Sequence, residues 1–151
     1  MGHIFAELEL SNPRRPDFVP VQVSALVDTG ALMLCIPEHV ARQLDLETES
    51  VREVSVADGR TATVPYVGPL KVAFGKRFCY VGALVIGDEV LLGSVPMEDM
   101  DLVVNPGRRQ LTVDPASPNV PHARVKRHAT TPATVTGTGV EPWPGRLRRR
   151  P

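Results

Sequence analysis

Residues 19–27 form an apolar-alternating run. Val19, Val21, Val23, Ala25 and Val27 share one side, and the run stops at Asp28-Thr29-Gly30-Ala31. A period of two puts one face of the segment against a core and the other toward solvent, which is the pattern of a half-buried β-strand. The strand therefore delivers a carboxylate, a small hydroxyl and a glycine to one sharp end. Asp and Gly are both favoured in turns, so the tripeptide taken alone also fits a plain turn. The chain holds this tripeptide once and has no second copy.

The rest of the first 115 residues also reads as strands. Ile4, Ala6, Leu8 and Leu10 alternate with polar neighbours, and the proline-broken stretch 11–17 links them to the Val19 run as a hairpin with a long connection. Pro37 to Leu44 predicts a short helix, with Pro37 at its first position, Glu38 at the positive dipole end and Val40 and Leu44 on one face. Strands are expected over Val51 to Ala57, Arg60 to Val67, Leu70 to Phe74 and Phe78 to Ile86. Asp58-Gly59 reads as a hairpin tip, and Gly75-Lys76 closes a second hairpin. A short apolar strand over 89–93 stops at Gly93, Pro96 to Met100 predicts one or two helical turns, and Leu102–Val104 and Gln110–Val113 form a last pair about Asn105-Pro106-Gly107. The expected class is all-β with one or two short helices.

A chain of 151 residues has room for one modest core. Its neutral total charge divides unevenly: residues 1–115 carry ten Lys/Arg against sixteen Asp/Glu, and residues 116–151 carry seven against one. An acidic body over 1–115 and a basic, proline-rich tail over 116–151 follow, the tail having too few large apolar residues to order itself. Only four arginines stand within 146–150, too few to make nucleic-acid contact through the tail the expectation. The N-terminus lacks the charged start and apolar core of a signal peptide, Ala6 stands where myristoylation wants Ser or Thr, and no apolar run approaches the roughly 20 residues that span a bilayer. The expectation is a cytoplasmic protein without a membrane partner.

Cys35 and Cys79 stand apart from any metal-ligand spacing and read as small buried hydrophobes. His3, His39, His122 and His128 read as surface histidines. The acidic run 45–49 reads as a solvated loop, and the acids of Met97-Glu98-Asp99-Met100 suit a helix dipole better than a metal. No metal or cofactor is expected.

Taken in order along the chain, three elements carry a resemblance. Leu26-Val27-Asp28-Thr29-Gly30-Ala31 comes first, a hairpin tipped by Asp58-Gly59 second, and Leu91-Leu92-Gly93 third, with Pro96 to Asp101 after it. Over roughly residues 3 to 115 the chain resembles the retropepsin-like aspartic proteases, above all small prokaryotic members that end in a Val-Val-Asn/Asp-Pro turn, here Val103-Val104-Asn105-Pro106. The resemblance implies an acid-protease barrel that supplies half a site per subunit. It implies a homodimer in which Asp28 from each chain forms the catalytic pair, supported by Thr29, Gly30 and Ala31. It further implies a flap at Ala57, Asp58, Gly59 and Arg60 that closes over an extended peptide or unfolded protein, and packing by Leu91, Leu92 and Gly93 beneath the catalytic loop.

The chain departs from retroviral members in its flap, which has a single glycine flanked by Asp58 and Arg60. Gln110 to Val113 is the candidate dimer strand. An alternative reading is a non-catalytic dimer of the same fold that binds peptide or serves as a scaffold.

Overall fold

The computed structural model describes residues 2–126. The first alternation forms β1 (Phe5–Ser11), with Ala6, Leu8 and Leu10 buried and Phe5, Glu7 and Glu9 exposed. It pairs antiparallel with β2 (Val21–Val27), Leu8 opposite Val23 and Ala6 opposite Ala25. Val19 falls outside this strand and is 80% exposed. Pro20 stands between them and has no amide hydrogen for the ladder, so the pairing starts at Val21. The connecting loop is anchored by the buried Asn12, whose Nδ2 donates to the carbonyls of Leu44 (2.9 Å) and Asp45 (3.1 Å).

The chain continues through β3 (Leu34–Ile36), α1 (Glu38–Gln43), β4 (Thr48–Ser55), β5 (Thr61–Phe74), β6 (Arg77–Val85), β7 (Leu91–Leu92), α2 (Ser94–Asp99), β8 (Leu102–Asn105) and β9 (Gln110–Val113). Several bounds differ from the sequence reading. β3 was not anticipated: three residues, all buried, are too short to show a period. Pro37 caps α1 in extended conformation instead of opening it, and β4 starts at Thr48, inside the expected solvated run. The two strands expected over 60–74 are one, bulged where the β5–β6 register shifts between Val67 and Leu70. α2 starts at Ser94, two residues before Pro96.

The strands run β1-β2-β7-β3-β6-β5-β4, and β1 also pairs with β5. That second pairing closes a barrel and leaves β4 outside it, bonded only to β5 as a projecting hairpin. β7 is inserted between β2, to which it runs parallel, and β3, to which it runs antiparallel. β8 and β9 form a separate ribbon. The fold is all-β with two short helices, as the alternations imply.

Leu8, Leu10, Leu34, Ile36, Leu44, Leu70, Val72 and Leu92 fill the barrel and are fully buried. Each contributes about 1.5–3 kcal/mol through removal of apolar area from water. Cys35, Val64 and Leu84 make a second, smaller cluster with Met33, Val54, Tyr66, Ile86 and Leu91, under the base of the β4–β5 hairpin.

Past β9 the described chain stays fastened to the body. Ser117 Oγ donates to the Asp101 carboxylate, the His122 amide donates to the same carboxylate at 2.9 Å, and the buried Arg77 guanidinium donates to the carbonyls of Met100 and Ser117. The expectations for His128, for the arginine run and for the rest of the tail from residue 127 onward lie outside the described residues.

Candidate active site

The Asp28 loop is positioned by backbone on both flanks. β2 carries Asp28 to the barrel rim, where its amide donates to the carbonyl of Leu92 (3.0 Å) and thereby continues the β2–β7 pairing. The Ala31 amide donates to the Asp28 carbonyl at 3.2 Å, and the Gly30 amide donates to Asp28 Oδ1 at 2.9 Å. One carboxylate oxygen is therefore held by its own loop. Asp28 is partly exposed and Thr29 and Gly30 are exposed, so the carboxylate and the hydroxyl both present to the outside of a single chain.

α2 fastens the other side of the loop. The first amides of a helix have no partner within it. Here the Ser94 amide donates to the carbonyl of Ala31 and the Val95 amide to that of Leu32, each at 2.9 Å. Gly93 stands at the crossing, and any Cβ there would lie 2.4 Å from the Met33 carbonyl oxygen. The structure thus brings together residues 28–31 and 91–93, some sixty residues apart. Leu91 packs in the smaller cluster and Leu92 in the barrel core.

Ala57, Asp58, Gly59 and Arg60, expected from the resemblance as a flap, lie at the exposed end of the β4–β5 hairpin. The tip is a five-residue loop, Val56 to Arg60, closed by Val56 amide to Arg60 carbonyl and Gly59 amide to Val56 carbonyl, both 2.9 Å. Gly59 has φ +84°, a region that residues with a Cβ rarely occupy. Asp58 and Arg60 clamp the tip: the Arg60 amide donates to Asp58 Oδ1 at 3.0 Å and its Nε to Oδ2 at 2.6 Å, which holds the Asp58 carboxyl below the usual value. The inner face of the hairpin, Val54 and Val64 with Tyr66, packs on Met33, Cys35 and Leu91.

A groove of about 420 Å³ opens where the chain leaves the Asp28 loop at Leu32 and Met33, lined among others by Arg52, Tyr66, Tyr80 and Val95. A larger concavity of about 640 Å³ lies between α1 and the β5–β6 pair; residues 28–31 line neither of the two. The groove was missed in the sequence. Its signal was Gly82 in the interior of a strand, a position that often marks a close approach. A Cβ there would stand 2.0 Å from the Tyr66 hydroxyl, so the tyrosine lies flat over Gly82. The Arg52 guanidinium stacks on that ring, 4.4 Å from its centroid.

Burial pushes the Cys79 thiol up to about 12, and burial together with the nearby Asp28 charge raises that of Cys35. Both cysteines are free and buried. Among the described residues no group of three His, Cys, Asp or Glu side chains could hold a metal ion, and no helix is long and apolar enough to cross a membrane.

The fold is shared with a solved structure. The retroviral protease-like domain of Ddi1 from Leishmania major is 18% identical, with a TM-score of 0.52, covering 80% of this chain and 94% of that one. A retropepsin-like aspartic protease from Rickettsia conorii is 22% identical, covering 64% of this chain and 71% of that one, with a TM-score of 0.44. No curated protein matches the chain. The profile of the aspartyl protease family matches residues 19–116, a span that takes in the Asp28 loop, the hairpin and Leu91-Leu92-Gly93, and the chain belongs to that family.

Proposed function

We propose that the chain is a homodimeric aspartic endopeptidase in which two subunits each contribute Asp28. The observation that carries this reading is the single Asp28 loop. It is locked on β7 and α2 through its backbone, yet its carboxylate and the Thr29 hydroxyl are presented outward with no second such loop in the chain. One carboxylate is a poor catalyst at a peptide bond. Two held a few ångströms apart cannot both ionise cheaply, so they share a proton. The ionised member then takes a proton from an attacking water while the protonated member donates to the carbonyl oxygen, and the roles reverse as the amine leaves. The titration belongs to the pair.

The remaining parts have roles in this scheme. The Gly30 amide orients Asp28 through Oδ1, and Thr29 braces the facing loop of the other subunit. Gly30 has no neighbour but Asp28 Oδ1 within reach of a Cβ, which leaves space for a substrate backbone. The hairpin ending at Asp58-Gly59-Arg60 covers the bound chain, an extended peptide that adds main-chain hydrogen bonds as a strand would. The Asp58–Arg60 clamp stiffens that cover, and this favours a second reading as a peptide-binding dimer that does not cut.

Cleavage of a diverse library of unfolded peptides between mildly acidic and neutral pH separates the two. Cuts made by wild type and abolished in a folded, dimeric Asp28→Asn variant establish the endopeptidase. Peptide retention by both proteins without cuts at any pH establishes the binding module.

A further inference from the structure

We infer that the groove beside the catalytic loop is a subsite for an acidic side chain of the bound peptide, with Arg52 as its specificity-determining residue; the inference rests on the proposed peptide-binding cleft. Arg52 is exposed on β4, but its guanidinium is fixed in place. It lies over the Tyr66 ring at 4.4 Å, with Nη1 3.9 Å from the Met33 sulfur. Tyr66 owes that pose to Gly82, whose missing Cβ leaves the space its ring fills. Stacking on an aromatic face holds a guanidinium without using its hydrogen-bonding edge, which stays open for a carboxylate.

Apart from the Nη1 contact to the Met33 sulfur, that edge meets no carboxylate among the described residues. Arg14, Arg15, Arg42 and Arg60 each have a carboxylate partner, and among the described residues Arg52 has none. An unpaired cation on the floor of a groove whose other walls are Met33, Tyr66, Tyr80 and Val95 fits a ligand that is anionic at one point and apolar around it. The position selects which part of the ligand reaches it. Met33 follows Asp28 by five residues and Val95 is bonded to Leu32, so the groove continues sideways from the catalytic loop. A chain extended across Asp28 meets Arg52 with a residue flanking the scissile pair. The substrate class is therefore a peptide with Asp or Glu to one side of an apolar cleavage site.

The test is cleavage of a randomised peptide library by wild type, Arg52→Gln and Arg52→Glu, scored at each position for Asp/Glu against Asn/Gln. Wild-type cuts are expected to be enriched about tenfold for an acid at one flanking position, the scale of a charge-assisted hydrogen bond. Arg52→Gln erases the enrichment, and Arg52→Glu turns it toward Lys/Arg. Acidic enrichment that survives Arg52→Gln, or none in wild type, overturns the inference. If wild type cuts nothing, the endopeptidase reading fails separately, and retention of the same library on immobilised protein decides the groove. Acidic peptides held by wild type and released by Arg52→Gln support it; equal retention overturns it.

Discussion

Gly93 lies against the backbone of Met33 so closely that a methyl group on it would stand 2.4 Å from the Met33 carbonyl oxygen and 2.7 Å from its amide nitrogen. The neighbours are main-chain atoms of the loop that follows Asp28, so nothing there can swing aside. Gly93→Ala is expected to lower stability by at least about 2 kcal/mol, at the upper end of overpacking costs. Gly30 behaves in the opposite way. Its added Cβ meets only Asp28 Oδ1, at 3.2 Å. Gly30→Ala is expected to stay within about 0.5 kcal/mol of wild type while lowering peptide cleavage. Urea unfolding midpoints beside peptide-library rates check both; equal stability losses would refute the division between packing and substrate contact.

The contrast between these glycines shows where sequence reasoning reached. Local period and turn chemistry located β1, the barrel part of β2 and the Asp58-Gly59 tip, because each depends on neighbours two to five residues away. The adjacency of Leu91-Leu92-Gly93 to Asp28 came only through family resemblance, since a two-residue strand carries no period of its own. β3 was invisible for the same reason. The Arg52–Tyr66–Gly82 arrangement depends on the pairing of three strands, and only Gly82, a glycine inside a strand, hints at it in the sequence. Asn12 sits in a stretch that reads only as a polar, proline-broken connection, yet it is buried and bonded across 32 residues to Leu44.

Tyr66 and Gly82 give a prediction that stands apart from catalysis. A Cβ at Gly82 would meet the far end of the tyrosine ring, which can rotate away, so Gly82→Ala is expected to cost no more than about 1 kcal/mol. The ring then leaves its place beneath Arg52. Proton chemical shifts of the Arg52 side chain, displaced by the ring current in wild type, should move to random-coil positions in the variant. Unchanged shifts would show that the stack does not need the glycine.

The two thiols are expected to be inert in the native protein. Only thiolate reacts with alkylating agents, and both thiols are raised, Cys79 by burial and then the Asp99 charge to about 12, Cys35 by burial and then Asp28. At neutral pH the native thiolate fraction lies below that of an ordinary cysteine, and burial blocks the approach of reagent. Iodoacetamide should label neither cysteine until denaturant is added, and both afterwards. Fast native labelling of Cys35 would mean that the smaller cluster under the flap opens readily.

Asp101 should make the segment after β9 sensitive to acid. Its carboxyl is held below the ordinary value first by the Ser117 hydroxyl, then by the His122 amide, with Arg77 and His122 charges assisting. A depressed carboxylate contributes stability that is fully present above the ordinary aspartate value of about 4 and is lost as pH falls through the lowered one. Amide exchange protection at Ser117 and His122, corrected for the intrinsic rate, should persist down to about pH 4 and fall below it. Asp101 has φ +56°, a conformation that Asn tolerates well, so Asp101→Asn keeps the backbone and removes the titration. The variant should show weaker protection that no longer varies with pH in this range. A fall of the same size in Asp101→Asn would assign the acid sensitivity to another group.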